Sequence, residues 1–99
     1  MLVELGSTFY FWVQTENSSG VVTAPDGGTA PAYKVYEGGS NTALVTGNTS
    51  GPVDSNTGFY KGSFAASEGN GFERGGTYVI RITYTITSTR HHEITFTVV

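Results

Sequence analysis

The sequence predicts an all-β fold, a two-sheet antiparallel sandwich of about seven strands, on three observations. Apolar and polar residues alternate with period two over long stretches of the C-terminal third. Clusters of Gly, Ser, Asn, Asp and Pro punctuate the chain at intervals of about ten residues. No segment carries the 3.6-residue apolar period of an amphipathic helix over helical length. The 99 residues, without a linker-like interruption, are read as one domain, 1–99. A chain of this size buries roughly 60 to 68% of its unfolded surface, enough for one core but not for a core and a deep pocket.

From the N-terminus, Leu2 to Leu5 is a short candidate strand and Ser7 to Thr15 the first long one. Glu16 to Pro31 is patternless and exceeds the roughly 12 to 15 residues usual for loops, so it is expected to be functional or mobile. Ala32 to Glu37 and Ala43 to Thr46 flank the turn Gly38-Gly39-Ser40-Asn41, whose glycines admit positive φ. Gly47 to Thr57 and Glu68 to Gly76 read as loops, with a strand at Gly58 to Phe64 between them. In Thr77 to Thr87, Tyr78, Ile80, Ile82, Tyr84 and Ile86 share one face and Val79, Arg81, Thr83, Thr85 and Thr87 the other. His92 to Val99 repeats the pattern, with Ile94, Phe96 and Val98 facing in. The connection Ser88-Thr89-Arg90-His91 makes these last two strands a hairpin. Tyr78, Ile80, Ile82, Tyr84, Ile94, Phe96 and Val98 are therefore the predicted core.

One local feature makes the predicted sandwich immunoglobulin-like. Phe72-Glu73-Arg74-Gly75-Gly76-Thr77-Tyr78 puts a tyrosine at the start of the long penultimate strand, just after a glycine turn. A tyrosine corner occupies that place in such sandwiches, its hydroxyl bonded to upstream backbone. Ile80 stands where an antibody-type domain has its cysteine, so the likeness is one of architecture.

Composition and charge exclude several functions. Without cysteine there is no disulfide, no thiolate zinc site and no cysteine nucleophile, and the compartment stays undecided. Lys+Arg 5 against Asp+Glu 8 gives a net charge of −3, and Lys34, Lys61, Arg74, Arg81 and Arg90 are scattered, which speaks against nucleic-acid binding. The longest apolar run, Phe9 to Val13, is far short of the roughly 20 residues of a membrane-spanning helix. No basic stretch precedes it, and Met1 reads as a native start.

No constellation points to catalysis. As strand neighbours, His91 and His92 point to opposite faces and cannot share a metal; His91 and Glu93 offer only two ligands where zinc takes at least three from protein. No Gly-x-Ser-x-Gly elbow occurs, and so short a sandwich leaves little wall for a glycosidase cleft. Asp26, Asp54, Asn56, Glu68 and Asn70 lie in loops and offer hard oxygen ligands for calcium, but none has the Asp-x-Asp spacing of a dedicated site, and turn formation explains them adequately. Thr83, Thr85, Thr87, Thr95 and Thr97 form a threonine ladder that could order ice, yet threonine is also an ordinary solvent-facing strand residue. The expectation is a non-enzyme with no cofactor and no metal.

The exception to the pattern is Phe9-Tyr10-Phe11-Trp12-Val13, apolar on both faces. A sandwich has one interior, so Phe9, Phe11 and Val13 or else Tyr10 and Trp12 must find cover elsewhere. Residues 16–31, a second copy or another protein are the alternatives. These five residues are the candidate interface, with Tyr33, Tyr36 and Tyr60 as further aromatics.

The order of motifs spans nearly the whole chain: Gly6-Ser7-Thr8-Phe9-Tyr10-Phe11, then Ala30 to Glu37, then Thr57-Gly58-Phe59-Tyr60, then Gly69-Asn70-Gly71-Phe72-Glu73-Arg74-Gly75-Gly76-Thr77-Tyr78. It resembles the short immunoglobulin-like structural proteins that tailed bacteriophages and prophages encode among their head and tail genes. The most specific part is the Asn-Gly-Phe-Glu-x-Gly-x-x-Tyr passage, Asn70 to Tyr78. The resemblance implies a virion protein made in the host cytoplasm, a decoration or cement protein on the capsid exterior, with tail or baseplate attachment as the alternative. It implies contact with other virion proteins, the major capsid protein foremost, and brings no catalytic residue. A carbohydrate-binding adhesion module, with Trp12 or Tyr36 stacked on sugar rings, is the rival from another class.

Overall fold

In the computed structural model, which describes residues 1–99, the hairpin of β6 (Thr77–Ile86) and β7 (Ser88–Val98) is the longest ladder, running from Thr77 opposite Thr97 to Ile86 opposite Ser88. Period-two alternation becomes alternate burial here: Tyr78, Ile80, Ile82, Tyr84 and Ile86 are buried while Thr77, Arg81 and Thr85 are exposed. The hairpin connection differs from the expected four residues. Ser88 to His91 are paired, and the chain turns at Thr87 with φ +66°. Their polar side chains read as a loop: Ser88, Thr89 and His91 are exposed and Arg90 half-buried, although Tyr84 and Ile86 across the ladder are buried.

Strands β3 (Ala32–Glu37) and β4 (Ala43–Asn48) extend the sheet beyond β6. On the other side β1 (Leu2–Val3) pairs with β7, giving the order β1-β7-β6-β3-β4. The β1–β7 pair is parallel, so the sheet is mixed rather than wholly antiparallel. The second sheet holds only β2 (Thr8–Gln14) and β5 (Phe59–Ala65), antiparallel, with Phe11 opposite Gly62. The chain thus crosses from one sheet to the other after β1, after β2, after β4 and after β5, an immunoglobulin-like two-sheet sandwich.

The core between the sheets is largely aromatic. Phe9, Phe11 and Phe64 of the small sheet meet Tyr33, Tyr78 and Phe96 of the large one, with Phe72 inserted from the β5–β6 connection. Ring centroids lie 5.1 Å apart for Phe9 and Phe96, 5.0 Å for Phe11 and Tyr33, and 4.8 Å for Phe72 and Tyr78, the range in which tilted and offset rings attract. Gly62 makes this packing feasible, because a Cβ there would collide with the Phe11 ring. Of the predicted core, Phe96 and Val98 are also buried, whereas Ile94 is half-buried. Its partner strand explains this: β1 flanks β7 only at Thr97 and Val98, leaving Ile94 at a bare edge.

The tyrosine corner is present. Tyr78 Oη accepts a 2.8 Å hydrogen bond from the Glu73 N–H, which fixes the turn into β6. The segment 16–31 is neither patternless nor unanchored. A bridge pairs Glu16 with Val22, Asn17 Oδ1 accepts from the Ser19 and Val21 N–H groups, and buried Thr15 donates its hydroxyl to the Thr23 carbonyl at 2.6 Å. Further on, Asp26 Oδ2 accepts the Thr87 N–H at 2.8 Å, tying the segment to the β6–β7 turn.

Candidate functional site

Strand β2 alternates exposed and buried along its whole length. Phe9, Phe11 and Val13 lie in the core at 3 to 7% exposure, so these three are packing residues and not interface. The opposite row behaves differently: Tyr10 is 63% and Trp12 54% exposed, and the segment 16–31 does not cover them. Only Tyr10 and Trp12 of the five candidates therefore form a surface. Their neighbours follow from register, with Tyr10 opposite Ser63 and Trp12 opposite Lys61. Asn48 and Ser50, from the end of β4 and the loop after it, complete a shallow hollow beside the two rings. The aromatic pair is bare because the small sheet has two strands and no layer over its outer face.

The other named aromatics are placed elsewhere. Tyr33 and Tyr60 are buried, and Tyr33 donates its hydroxyl to the Ser63 carbonyl at 2.8 Å, bridging the two sheets. Burial raises the Tyr33 phenol above its ordinary value of 10.0. Half-buried Tyr36 lies on the outer face of the large sheet, in a shallow groove with Lys34, Arg81, Thr83 and His91. There Lys34 stands opposite Arg81, which in turn stands opposite Glu93.

The polar residues weighed for chemistry are dispersed. His91 Nδ1 lies 3.1 Å from Thr83 Oγ1, while His92 Nε2 lies 3.0 Å from Tyr84 Oη, whose ring stacks on the His92 ring. Asp26, Asp54 and Glu68 occupy three separate 3-10 turns, and Asn70 Nδ2 donates to the Ala65 carbonyl at 2.9 Å. No three His, Cys, Asp or Glu side chains are grouped as a metal site requires. No helix is long and apolar enough to cross a membrane.

The sequence reading did not find Asn48, Ser50, Lys61 and Ser63 beside the aromatic pair. Their proximity depends on the β2–β5 register and on where the β4–β5 connection passes, neither of which leaves a local signal. Comparison with known proteins returns no match to any family model, curated protein or solved structure.

Proposed function

We propose that this chain is a non-enzymatic structural protein of a tailed-bacteriophage virion, a decoration or cement protein that docks on the outer surface of the head through the Tyr10–Trp12 face. The observation that carries the reading is that pair of exposed aromatic side chains on a strand whose other row already fills the core. The interior is occupied by interlocked rings, so the working surfaces are the outer faces of the sheets. Tyrosine and tryptophan supply large, stiff contact area at small entropic cost and are the side chains enriched at interface anchors. A cement protein needs no pocket, since lattice valency multiplies many weak contacts. The motif order from Gly6 to Tyr78 supplies the virion context, and the Tyr78–Glu73 corner supports the immunoglobulin-like part of that resemblance.

The test is occupancy of purified, tail-free heads. The chain is expected on such heads in stoichiometric amounts, and Trp12→Ala is expected to reduce its retention by about tenfold or more while leaving its melting temperature unchanged. Heads that carry none of it, with the chain recovered on tails instead, would move the docking site to the tail or baseplate.

A second reading rests on the hollow itself. Trp12 and Tyr10 lie beside Asn48, Ser50, Lys61 and Ser63, an aromatic platform with hydrogen-bonding groups at its rim, as sugar-ring stacking requires. Specific signal on a glycan array, lost in Trp12→Ala, would favour host adhesion over cementing.

A further inference from the structure

The backbone of β2 carries an inference separate from its side-chain face. Ala66 N–H donates to the Ser7 carbonyl at 2.9 Å and Thr15 N–H to the Gly58 carbonyl at 2.7 Å. These two bonds fix the phase of the ladder: the odd-numbered residues of β2 bond to β5, and Thr8, Tyr10, Trp12 and Gln14 direct their N–H and C=O groups to the opposite edge. No strand lies on that edge, because β1 pairs with β7 in the other sheet.

The far edge of β5 is closed. Lys61 exchanges two backbone bonds with Ser50, the Ser63 carbonyl accepts from the Tyr33 hydroxyl, and the Ala65 carbonyl accepts from Asn70 Nδ2. The β4 edge is interrupted by a register shift opposite Val35 and Tyr36. Strand β2 has none of these protections. It is seven residues long, regular in register, and its sequence Thr-Phe-Tyr-Phe-Trp-Val-Gln holds no charge, no proline and no glycine.

We infer that this edge is an isologous dimer seam, on which β2 of a second copy of the chain adds antiparallel with Phe11 opposite Phe11. The sequence of β2 is self-complementary about Phe11. In that register Tyr10 meets Trp12 of the copy and Thr8 meets Gln14, so aromatic pairs with aromatic and polar with polar, twice over by symmetry. The free edge groups are those an antiparallel partner in this register uses, since Tyr10 and Trp12 form a hydrogen-bonded pair and Phe11 with its mate a non-bonded one. A charge at the centre of a two-fold seam would face its own like, and this strand has none. The product is one four-stranded sheet, β5-β2-β2-β5, whose outer face gathers four exposed aromatic rings. The seam uses the edge of the strand that the proposed docking uses by its face, but it does not depend on what that face binds.

Sedimentation equilibrium of the purified chain from about 1 to 500 μM tests the pairing, with the dimer expected at twice 10.5 kDa. Trp12→Lys is expected to give monomer, because it sets two ammonium groups close to the axis. Tyr10→Pro is expected to do the same by deleting an edge-facing N–H while sparing the bonds to β5. Register is read in the cysteine-free background with Thr8→Cys and Gln14→Cys. On oxidation neither variant is expected to cross-link to itself, and their mixture is expected to form the disulfide-linked dimer, a readout that does not rely on the proline variant folding. A chain monomeric throughout that range, a dimer indifferent to Trp12→Lys, or Thr8→Cys cross-linking to itself would overturn the seam. A monomer that still binds heads through Trp12 overturns self-pairing and leaves the docking reading standing. A dimer cross-linked in this register that binds no heads supports the seam and removes the docking reading.

Discussion

Two tyrosines illustrate how single hydroxyl groups hold this sandwich together. Tyr78 Oη is the acceptor for the Glu73 N–H at the corner, and Tyr78→Phe leaves that N–H without its partner. The expected loss is about 1 to 2 kcal/mol in chemical denaturation, with an unchanged m-value, since the ring still packs on Phe72 and Phe96. Tyr33 couples the same kind of bond to protonation. Its phenol donates to the Ser63 carbonyl and is raised above 10.0 by burial, so the fold favours the neutral form. A group raised in this way stabilises the fold fully below its unfolded value and loses that contribution as pH climbs through the folded one. Stability is therefore expected to fall above about pH 10, and in Tyr33→Phe the fall is expected to be shallower, starting from a neutral-pH stability lower by about 1 kcal/mol. Denaturation midpoints measured between neutral and strongly alkaline pH compare the two slopes.

Each strand was legible in the sequence to the degree that its two faces differ. In β6 one row is core and the other solvent, so Tyr78 to Ile86 declared their burial directly. In β2 both rows are aromatic, and the choice between them is made by partners distant in sequence: Gly62 leaves room for the Phe11 ring, and Phe96 and Phe64 receive Phe9. Alternation alone could not rank Phe11 over Trp12. The start of β7 was missed for the converse reason, since Ser88 to His91 are polar on both faces, and the segment 16–31 because Asn17 and Thr15 side chains satisfy its backbone, and Asp26 ties it to the Thr87 N–H, without periodicity. The β6–β7 connection also holds a local conflict. Thr87 adopts φ +66°, where a β-branched side chain is strained, while its N–H is held by Asp26. Thr87→Gly is expected to stabilise the hairpin by roughly 0.5 to 1 kcal/mol, read as a higher denaturation midpoint, provided Asp26 is intact.

At the scale of the whole molecule, two sheets of unequal width enclose one aromatic core, and the widths decide where surface remains. Five strands on one side and two on the other leave the narrow sheet with an uncovered outer face, on which the docking reading rests, and an open edge at β2, on which the dimer seam rests. The alternation of the sequence carried the sandwich and its core rows; strand order, the crossing of β1 and the capping of β5 arise from contacts between distant segments and had no local signature. The parallel pairing of β1 with β7 has a mechanical consequence. Thr97 N–H bonds to the Met1 carbonyl, Val99 N–H to the Val3 carbonyl and Leu5 N–H to the Val99 carbonyl, so the first and last residues lie at opposite ends of one short ladder. Tension applied between residues 1 and 99 loads those bonds in shear, and they must rupture together. Tension applied across the open end of the β6–β7 hairpin, through positions 77 and 97, instead opens its ladder one bond pair at a time. In a force-spectroscopy experiment at a common loading rate, the terminal attachment is therefore expected to yield at the higher force, and Val3→Pro, which deletes the N–H that this parallel register directs to the Thr97 carbonyl, to narrow the difference.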